Sequence, residues 1–210
     1  MREFYQRLVT GIILALCALA VFSLCPPLVI SLYLTFALLY ILAIEWPRFN
    51  QWKLTLLYPL LPFLILIGIN QYGARWELPW LCVLVISHDT GAYIAGRLWG
   101  KHKLCPTISP GKTWEGLCGG MALSLAIAAI MSYTITELRV MFTTAFLTFV
   151  SIVLLINCAA VLGDLFESWL KRLAHLKDSG SILPGHGGIL DRVDSLLFAA
   201  MAWAMIRLLY

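Results

Sequence analysis

The carboxylates whose spacing could do chemistry lie in the segment from Asp164 to Asp194. Asp191 and Asp194 are three residues apart, and a helix beginning near position 190 would therefore carry both on one face. With Asp164 nearby, these carboxylates would form a hard-oxygen site suited to Mg²⁺ that also contacts substrate phosphates. The alternative is that acidic residues favour helix N-termini, at about 0.3–1 kcal/mol each, which explains one aspartate better than two.

A glycine-rich turn directly precedes these carboxylates. It covers residues 183–188, with the sequence LPGHGG, and glycine lets backbone N–H groups approach a ligand closely. His186 in this turn is a metal ligand, an acid–base group or only a turn residue, and the pattern leaves the three alternatives open.

The segment Asp164–Lys177 has the pattern of an amphipathic helix. One face is apolar, and the other carries Asp164, Ser168, Lys171, Arg172 and His175. Taken alone, the segment favours a helix that lies flat at the membrane surface with its basic face in the headgroup region, but the glycine-rich turn and the aspartates that follow weaken this interpretation and favour a site.

Asp89 stands alone in an otherwise apolar run. An isolated carboxylate at the centre of a membrane helix costs about 2.5–3.5 kcal/mol, so it is expected to face a partner or a wet cavity. This favours a role in a site. The alternative is a helix-packing contact made with Thr90 and helped by the small residues Gly91 and Ala92.

The loop that follows, residues 101–116, is basic and contains Gly111-Lys112-Thr113. A phosphate-binding loop of the Walker type needs glycine five positions before Gly111, where this chain has Pro106, and the pattern predicts no strand before it. Lys112 beside the start of a helix is still well placed for a phosphate group. From this loop alone, a role in setting membrane topology is the better interpretation.

The composition indicates that the candidate site residues are carried by membrane-spanning helices and the loops between them. Of the 210 residues 61% are hydrophobic and 12% charged, against about 45–50% and about 25% in soluble domains. We therefore predict an all-α, polytopic membrane protein, and the net charge of +4 is too small to indicate nucleic acid. Seven apolar runs are long enough to span a bilayer: Leu8–Leu24, Leu28–Ile44, Leu54–Ile69, Leu78–Gly96, Gly116–Thr134, Val140–Gly163 and Ile189–Leu209.

The basic residues predict the orientation of these spans. With the N-terminus in the cytoplasm, twelve of the 15 Lys and Arg residues fall on the cytoplasmic side, as expected from the positive-inside rule. The two segments that carry the candidate site residues, Asp89–Glu115 and Asp164–Asp194, then face the cytoplasm. Residues 1–26 could instead be a signal peptide, but we favour an uncleaved first span. We divide the chain into N-terminal spans (1–77) and a catalytic membrane region (78–210) within one integrated domain.

Several of these segments resemble the phosphatidate cytidylyltransferases (CDP-diacylglycerol synthases). The most specific match runs from Ser168 through the glycine-rich turn to Asp194, and segments around Asp89 and over residues 108–116 are also similar. The resemblance covers roughly Leu78–Leu196; bacterial members are commonly longer, with additional N-terminal spans. It implies an enzyme, a nucleotidyltransferase of phospholipid biosynthesis that converts CTP and phosphatidic acid to CDP-diacylglycerol and pyrophosphate.

The resemblance also implies roles for individual residues. Asp164, Asp191 and Asp194 match positions that hold Mg²⁺. The catalytic and phosphate-binding positions are matched by Lys171, Arg172, Lys177, Asp178 and Arg192. Substrate-site positions are matched by Asp89, Lys112, Ser168 and His186.

The expected partners are CTP, phosphatidic acid and the lipid bilayer, with a second copy of the chain as a homodimer and K⁺ as a monovalent cation beside Mg²⁺. The expected location is a bacterial-type inner membrane, with the N-terminus and the active site cytoplasmic. The alternatives are another CTP-using lipid enzyme (polyprenol kinase-like or an ether-lipid cytidylyltransferase), a small transporter, and a non-enzymatic subunit that retains the motif.

Overall fold

The computed structural model describes residues 21–22, 24–182 and 187–209. Most of the predicted span Leu8–Leu24 lies outside these residues. Five helical segments are long and apolar enough to cross a membrane, and they are Pro27–Phe49, Trp52–Tyr72, Glu77–Trp99, Trp114–Ser132 and Phe146–Leu173. They confirm the prediction of an all-α membrane protein, whereas the number of seven spans stays a prediction.

The first two of these segments are not regular helices. Helix α1 (Pro27–Tyr40) continues through a π-helical turn, Ile41–Glu45, and a 3₁₀ turn, Trp46–Phe49. Helix α2 (Leu61–Tyr72) follows a 3₁₀ turn, Trp52–Leu54, and a second π-helical turn, Leu56–Leu60.

The break before α2 has a local cause. Proline disfavours helical backbone angles in the residue before it, and Tyr58, which precedes Pro59, is extended with φ −157° and ψ 123°.

Helices α3 (Glu77–Trp99) and α4 (Trp114–Ser132) form a closely packed pair. The approach depends on small residues, because a Cβ at Gly91 would lie 2.7 Å from the carbonyl oxygen of Gly119. This confirms the packing role considered for Gly91. Thr90 takes no part in it, because its hydroxyl donates to the carbonyl of Ile86 in its own helix.

A short antiparallel hairpin joins α3 to α4 where we predicted only a loop. Strand β1 (Lys103–Cys105) pairs with strand β2 (Ser109–Thr113), with Lys103 opposite Thr113. The hairpin leads directly into α4, whose first turn is capped by the Thr113 hydroxyl accepting from the backbone N–H of Gly116.

Helix α5 (Thr136–Thr144) is separate from helix α6 (Phe146–Leu173), and the two meet at Ala145. The predicted span Val140–Gly163 is therefore wrong at its start. The backbone angles of Ala145, φ −135° and ψ 51°, are non-helical and end α5 there.

The separate amphipathic helix predicted over Asp164–Lys177 is also wrong, because α6 continues without a break to Leu173. Part of its polar side faces the protein: Glu167 is fully buried, whereas Trp169 and Leu173 are exposed. The physical reason is that the charged side chains find partners inside the molecule, so the apolar side is left facing outward, where a lipid environment would accept it.

Helix α7 (Leu190–Leu209) packs along α6. The two helices touch at Gly163, where a Cβ would lie 2.5 Å from the carbonyl oxygen of Asp194. The far end of α7 reaches the start of α3, because Glu77 accepts from Trp203 Nε1 at 2.8 Å and pairs with Arg207 at 3.1 Å. Asp164 of α6 and the first turn of α7 therefore lie at the opposite end of the molecule from Glu77.

Candidate functional site

A cleft of about 330 Å³, here called the acidic cleft, collects most of the predicted site residues. The charged residues that line it are Asp89, Asp164, Lys171, Asp178, Asp191, Arg192 and Asp194. They come from three helices, α3, α6 and α7, and from the segment between α6 and α7. The close approach of α6 and α7 at Gly163 brings Asp164 near the first turn of α7.

Asp164 connects the acidic cleft to the hairpin. Its Oδ2 lies 2.7 Å from Nζ of Lys112, which is carried on β2. Its Oδ1 accepts from the hydroxyl of Ser168, one helical turn later, at 3.2 Å. These contacts place two other predicted site residues, Lys112 and Ser168, around the carboxylate of Asp164.

Lys171 lies between two acidic residues of different helices. Its ammonium group contacts Oε2 of Glu167 at 2.6 Å and Oδ1 of Asp191 at 2.8 Å. Glu167 is fully buried, and Lys171 is only 13% exposed. A buried carboxylate pair of this kind is tolerated because a cation is held between them.

Asp191 also fixes the segment that precedes α7. It accepts the backbone N–H of Ser179 at 3.0 Å and that of Gly188 at 2.8 Å, both through Oδ2. Gly187, next to Gly188, has a positive φ of 80°, a conformation that glycine adopts readily. Asp191 therefore binds the backbone both before and after residues 183–186.

Glu45, a residue that the sequence analysis did not select, is buried beneath the same segment. Its Oε1 accepts the backbone N–H of Ile189 at 2.7 Å, and its Oε2 accepts that of Leu190 at 2.8 Å. The hydroxyl of Ser179 donates to Oε2 at 3.2 Å. The end of the α1 segment thus contacts the start of α7.

A second cavity, of about 290 Å³, shares Asp89 and Asp164 with the acidic cleft. Lys112 and Thr113 also line it, and the remaining walls are largely apolar, with Leu104, Leu117 and Val161 among them. The buried His88 contributes as well, with its Nδ1 3.5 Å from Oδ1 of the exposed Asp89. The prediction that Asp89 faces a cavity is therefore confirmed.

Among the described residues, three predicted site residues line neither cavity, namely Ser168, Arg172 and Lys177. Arg172 is exposed, and its Nε lies 3.4 Å from the carbonyl oxygen of Ile108. Lys177 is exposed in the chain segment that follows α6. His186 lies outside the described residues, so its role as a metal ligand, an acid–base group or a turn residue stays open.

The acidic cleft fits a divalent cation in the chemistry of its donors. Five aspartates line it against one lysine and one arginine, and Oε1 of Glu167 is buried without a hydrogen-bond partner among the described residues. Oxygen donors in excess of positive charge suit Mg²⁺. Within the described part of the chain, however, no three His, Cys, Asp or Glu side chains converge on one point. The metal roles of Asp164, Asp191 and Asp194 stay predictions.

The two acidic residues missed from the sequence, Glu45 and Glu167, shared a signal that was available. Each is an acidic residue at the end of a long apolar run, and an ionisable group in such a place usually faces a partner within the protein. What the sequence could not supply was the partner, since the N–H groups that bind Glu45 are more than 140 residues away.

Comparison with known proteins agrees with the motif resemblance. A model of the cytidylyltransferase family matches residues 3–209. A phosphatidate cytidylyltransferase of Bacillus subtilis is 45% identical over 136 residues, which cover 65% of this chain and 48% of that protein. A phosphatidate cytidylyltransferase of Helicobacter pylori is 39% identical over 161 residues, which cover 77% of this chain and 58% of that protein. A phosphatidate cytidylyltransferase of Staphylococcus saprophyticus is 51% identical over 110 residues, which cover 52% of this chain and 40% of that protein. The chain spans about half the length of the curated relatives it matches.

Proposed function

Since the chain belongs to the cytidylyltransferase family, we propose that it transfers the cytidylyl group of CTP to phosphatidic acid, giving CDP-diacylglycerol and pyrophosphate. The named relatives are phosphatidate cytidylyltransferases, which supports this choice of acceptor.

The observation that carries the proposal is the charge of the acidic cleft. Phosphates are repelled by a cleft with five aspartates, unless a cation bound there reverses the local charge. The cleft therefore suits a reaction in which a divalent cation and a phosphate-rich substrate bind together. Lys171 and Arg192 line the cleft, and Lys112 lies 2.7 Å from Asp164, so these cations would also be available to the phosphates.

In this proposal Mg²⁺ is held by Asp164, Asp191 and Asp194, and it would neutralise charge on the attacking oxygen and the leaving pyrophosphate. K⁺ beside it is included on the family resemblance alone. Asp191 meets Lys171 and two backbone N–H groups, so it also fixes the wall of the cleft in which phosphate would be placed.

The chain's own residues supply positioning and charge. Phosphoryl-type transfer depends mainly on aligning the two reactants and stabilising charge. A phosphatidate oxygen would attack the α-phosphorus of CTP in line, with Lys171, Asp178 and Arg192 around the cleft. Arg172 and Lys177, exposed at the end of α6 and beyond, would attract phosphate before it enters.

The second cavity is a suitable place for one reactant beside the other. It meets the acidic cleft at Asp89 and Asp164, so groups bound in the two cavities would approach each other at those carboxylates. Asp89, Lys112, Ser168 and His186 are the substrate-binding residues of the proposal.

We further propose seven membrane spans, with the N-terminus and both cavities facing the cytoplasm of a bacterial-type inner membrane. The distribution of Lys and Arg supports this orientation, and CTP is available on that side. A homodimer belongs to the proposal, and the mass of the purified protein in detergent, measured by light scattering, tests it.

The decisive experiment uses purified protein, phosphatidic acid and CTP labelled on the α-phosphate, with and without Mg²⁺. We expect label to enter lipid only when Mg²⁺ is present, with release of pyrophosphate. Transfer of the γ-phosphate alone would instead indicate a kinase-like enzyme, and transfer to an ether lipid but not to phosphatidic acid would indicate the other acceptor. Solute flux in proteoliposomes without lipid conversion would favour a transporter.

A further inference from the structure

Glu45 holds the two chain segments on either side of the glycine-rich turn. Its carboxylate is fully buried and accepts from the backbone of Ile189 and Leu190 and from the hydroxyl of Ser179, at 2.7, 2.8 and 3.2 Å. One donor comes before the turn and two come after it. A single side chain from the N-terminal part of the molecule therefore joins Ser179 to the residues that begin α7.

Glu45 stabilises this arrangement by accepting hydrogen bonds from the N–H groups at the start of α7. The first N–H groups of a helix have no partner within the helix, and the N-terminus carries a partial positive charge. Glu45 satisfies two of these donors with a full negative charge. Replacing one carboxylate oxygen of Glu45 with an amide NH₂ group leaves a buried donor without an acceptor, which is more costly than the hydrogen bond itself is stabilising.

Two glycines of the segment, Gly180 and Gly188, lie close to the carboxylate of Glu45. A Cβ at Gly180 would lie 2.7 Å from its Oε1, and a Cβ at Gly188 would lie 2.6 Å from the same atom. Arg48, one turn later in the chain, donates to the carbonyl of Ser179 at 2.6 Å. Glu45 is also the last residue of a π-helical turn, a feature often found at functional sites.

The same backbone is held from its other side by Asp191. The N–H groups of Ser179 and Gly188 donate to Asp191 at 3.0 and 2.8 Å. We propose that Glu45 is a positioning residue: by fixing residues 179–180 and 188–190 it sets the position of Asp191 in the acidic cleft. This inference rests on the proposed function for the role of the cleft, and on geometry alone for the role of Glu45.

The first test measures amide hydrogen exchange in the peptide spanning residues 178–190 of the full-length protein in detergent. Glu45→Gln replaces one acceptor oxygen with a donor, and we expect exchange there to become roughly tenfold faster through local opening. The matched control is Glu77→Gln, since Glu77 is also a buried carboxylate, 4% exposed, but lies at the opposite end of the molecule. Equal exchange in Glu45→Gln and wild type would overturn the proposal.

The second test separates positioning from general loss of structure. In Glu45→Gln we expect the Mg²⁺ concentration for half-maximal cytidylyl transfer to rise roughly tenfold, as for other groups that orient metal ligands, while KM for phosphatidic acid stays within about twofold. Glu77→Gln should change neither value. An unchanged Mg²⁺ requirement in an active Glu45→Gln protein would contradict the role.

A milder variant covers the case in which Glu45→Gln does not fold. Ser179→Ala removes one donor to Glu45 and leaves the carboxylate in place, so we expect about threefold faster exchange in the same peptide, and an unchanged rate would count against the proposal. If wild-type protein transfers no cytidylyl group, the proposed function fails, and the exchange measurement still decides the role of Glu45.

Discussion

Asp164 is the carboxylate at which the acidic cleft, the second cavity and Lys112 meet. Asp164→Asn keeps the shape of the side chain and removes its charge, so we expect cytidylyl transfer to fall about 100-fold, the effect of losing one preorganised charge contact in an active site. The measurement is incorporation of α-labelled CTP into lipid. Glu137→Gln, at an exposed carboxylate of α5, is the control and should leave the rate unchanged.

The buried ion pair of Lys171 predicts an effect on stability. Lys171→Met leaves Glu167 and Asp191 without their shared cation, and breaking a buried pair costs about 3–5 kcal/mol. We expect a clearly lower Tm of the protein in detergent. The double variant Lys171→Met with Glu167→Gln removes one uncompensated charge and should recover part of the loss. A Tm of Lys171→Met equal to that of wild type would contradict the ion pair.

Sequence reasoning at the residue scale found the residues of the cleft but not their partners. Asp164, Asp191 and Asp194 were selected by type and spacing, and all three line one cleft. Glu167, between Asp164 and Lys171 in the chain, was not selected because the sequence pattern does not show which acidic residue of this segment is buried. Glu45 depends on a contact with the backbone near position 189, and backbone groups leave no trace in a sequence pattern.

Among the elements, the contact between α6 and α7 sets the width of the acidic cleft. Gly163→Ala places a methyl group where a Cβ lies 2.5 Å from the carbonyl oxygen of Asp194, so we expect a loss of about 1–3 kcal/mol from overpacking together with reduced activity. Gly68→Ala is the matched control, because the space around Gly68 in α2 is open within 4 Å. The measurement is the Tm of both variants in the same detergent. Equal Tm values for Gly163→Ala and Gly68→Ala would contradict the close approach of α6 and α7 at Gly163.

Most of the described helices were predictable to within a few residues, because length and hydropathy determine a membrane helix almost alone; the exception is the predicted span Val140–Gly163, which the structure divides between α5 and α6. The hairpin was not: its strands have three and five residues and one contains Pro110, which argues against a strand by pattern. The continuation of α6 past Asp164 was missed because charges on a helix were interpreted as a surface in contact with headgroups. Their neutralisation by Lys112 and Asp191 requires the packing of three separate elements.

For the whole molecule, the orientation in the membrane can be measured directly. In a cysteine-free background, Lys101→Cys should react with a membrane-impermeant maleimide only from the cytoplasmic side, because it lies at the hairpin end of α3. Thr134→Cys, exposed beyond the other end of α4, should react only from the opposite side. Labelling of both from one side would contradict the proposed topology.

Helix α6 has 28 residues and is therefore about 42 Å long at about 1.5 Å per residue, whereas the hydrocarbon of a bilayer is about 30 Å thick. In the proposed topology its last turns, with Asp164 and Lys171, would lie at the depth of the lipid phosphates. In the proposed reaction a lipid would thus arrive and leave by lateral diffusion within one leaflet. Its acyl chains would stay in the hydrocarbon, which avoids a cost of about 0.8 kcal/mol for each CH₂ group withdrawn. Only the nucleotide and pyrophosphate would travel through water, so the surface density of the lipid, and not its bulk concentration, would set the rate of encounter.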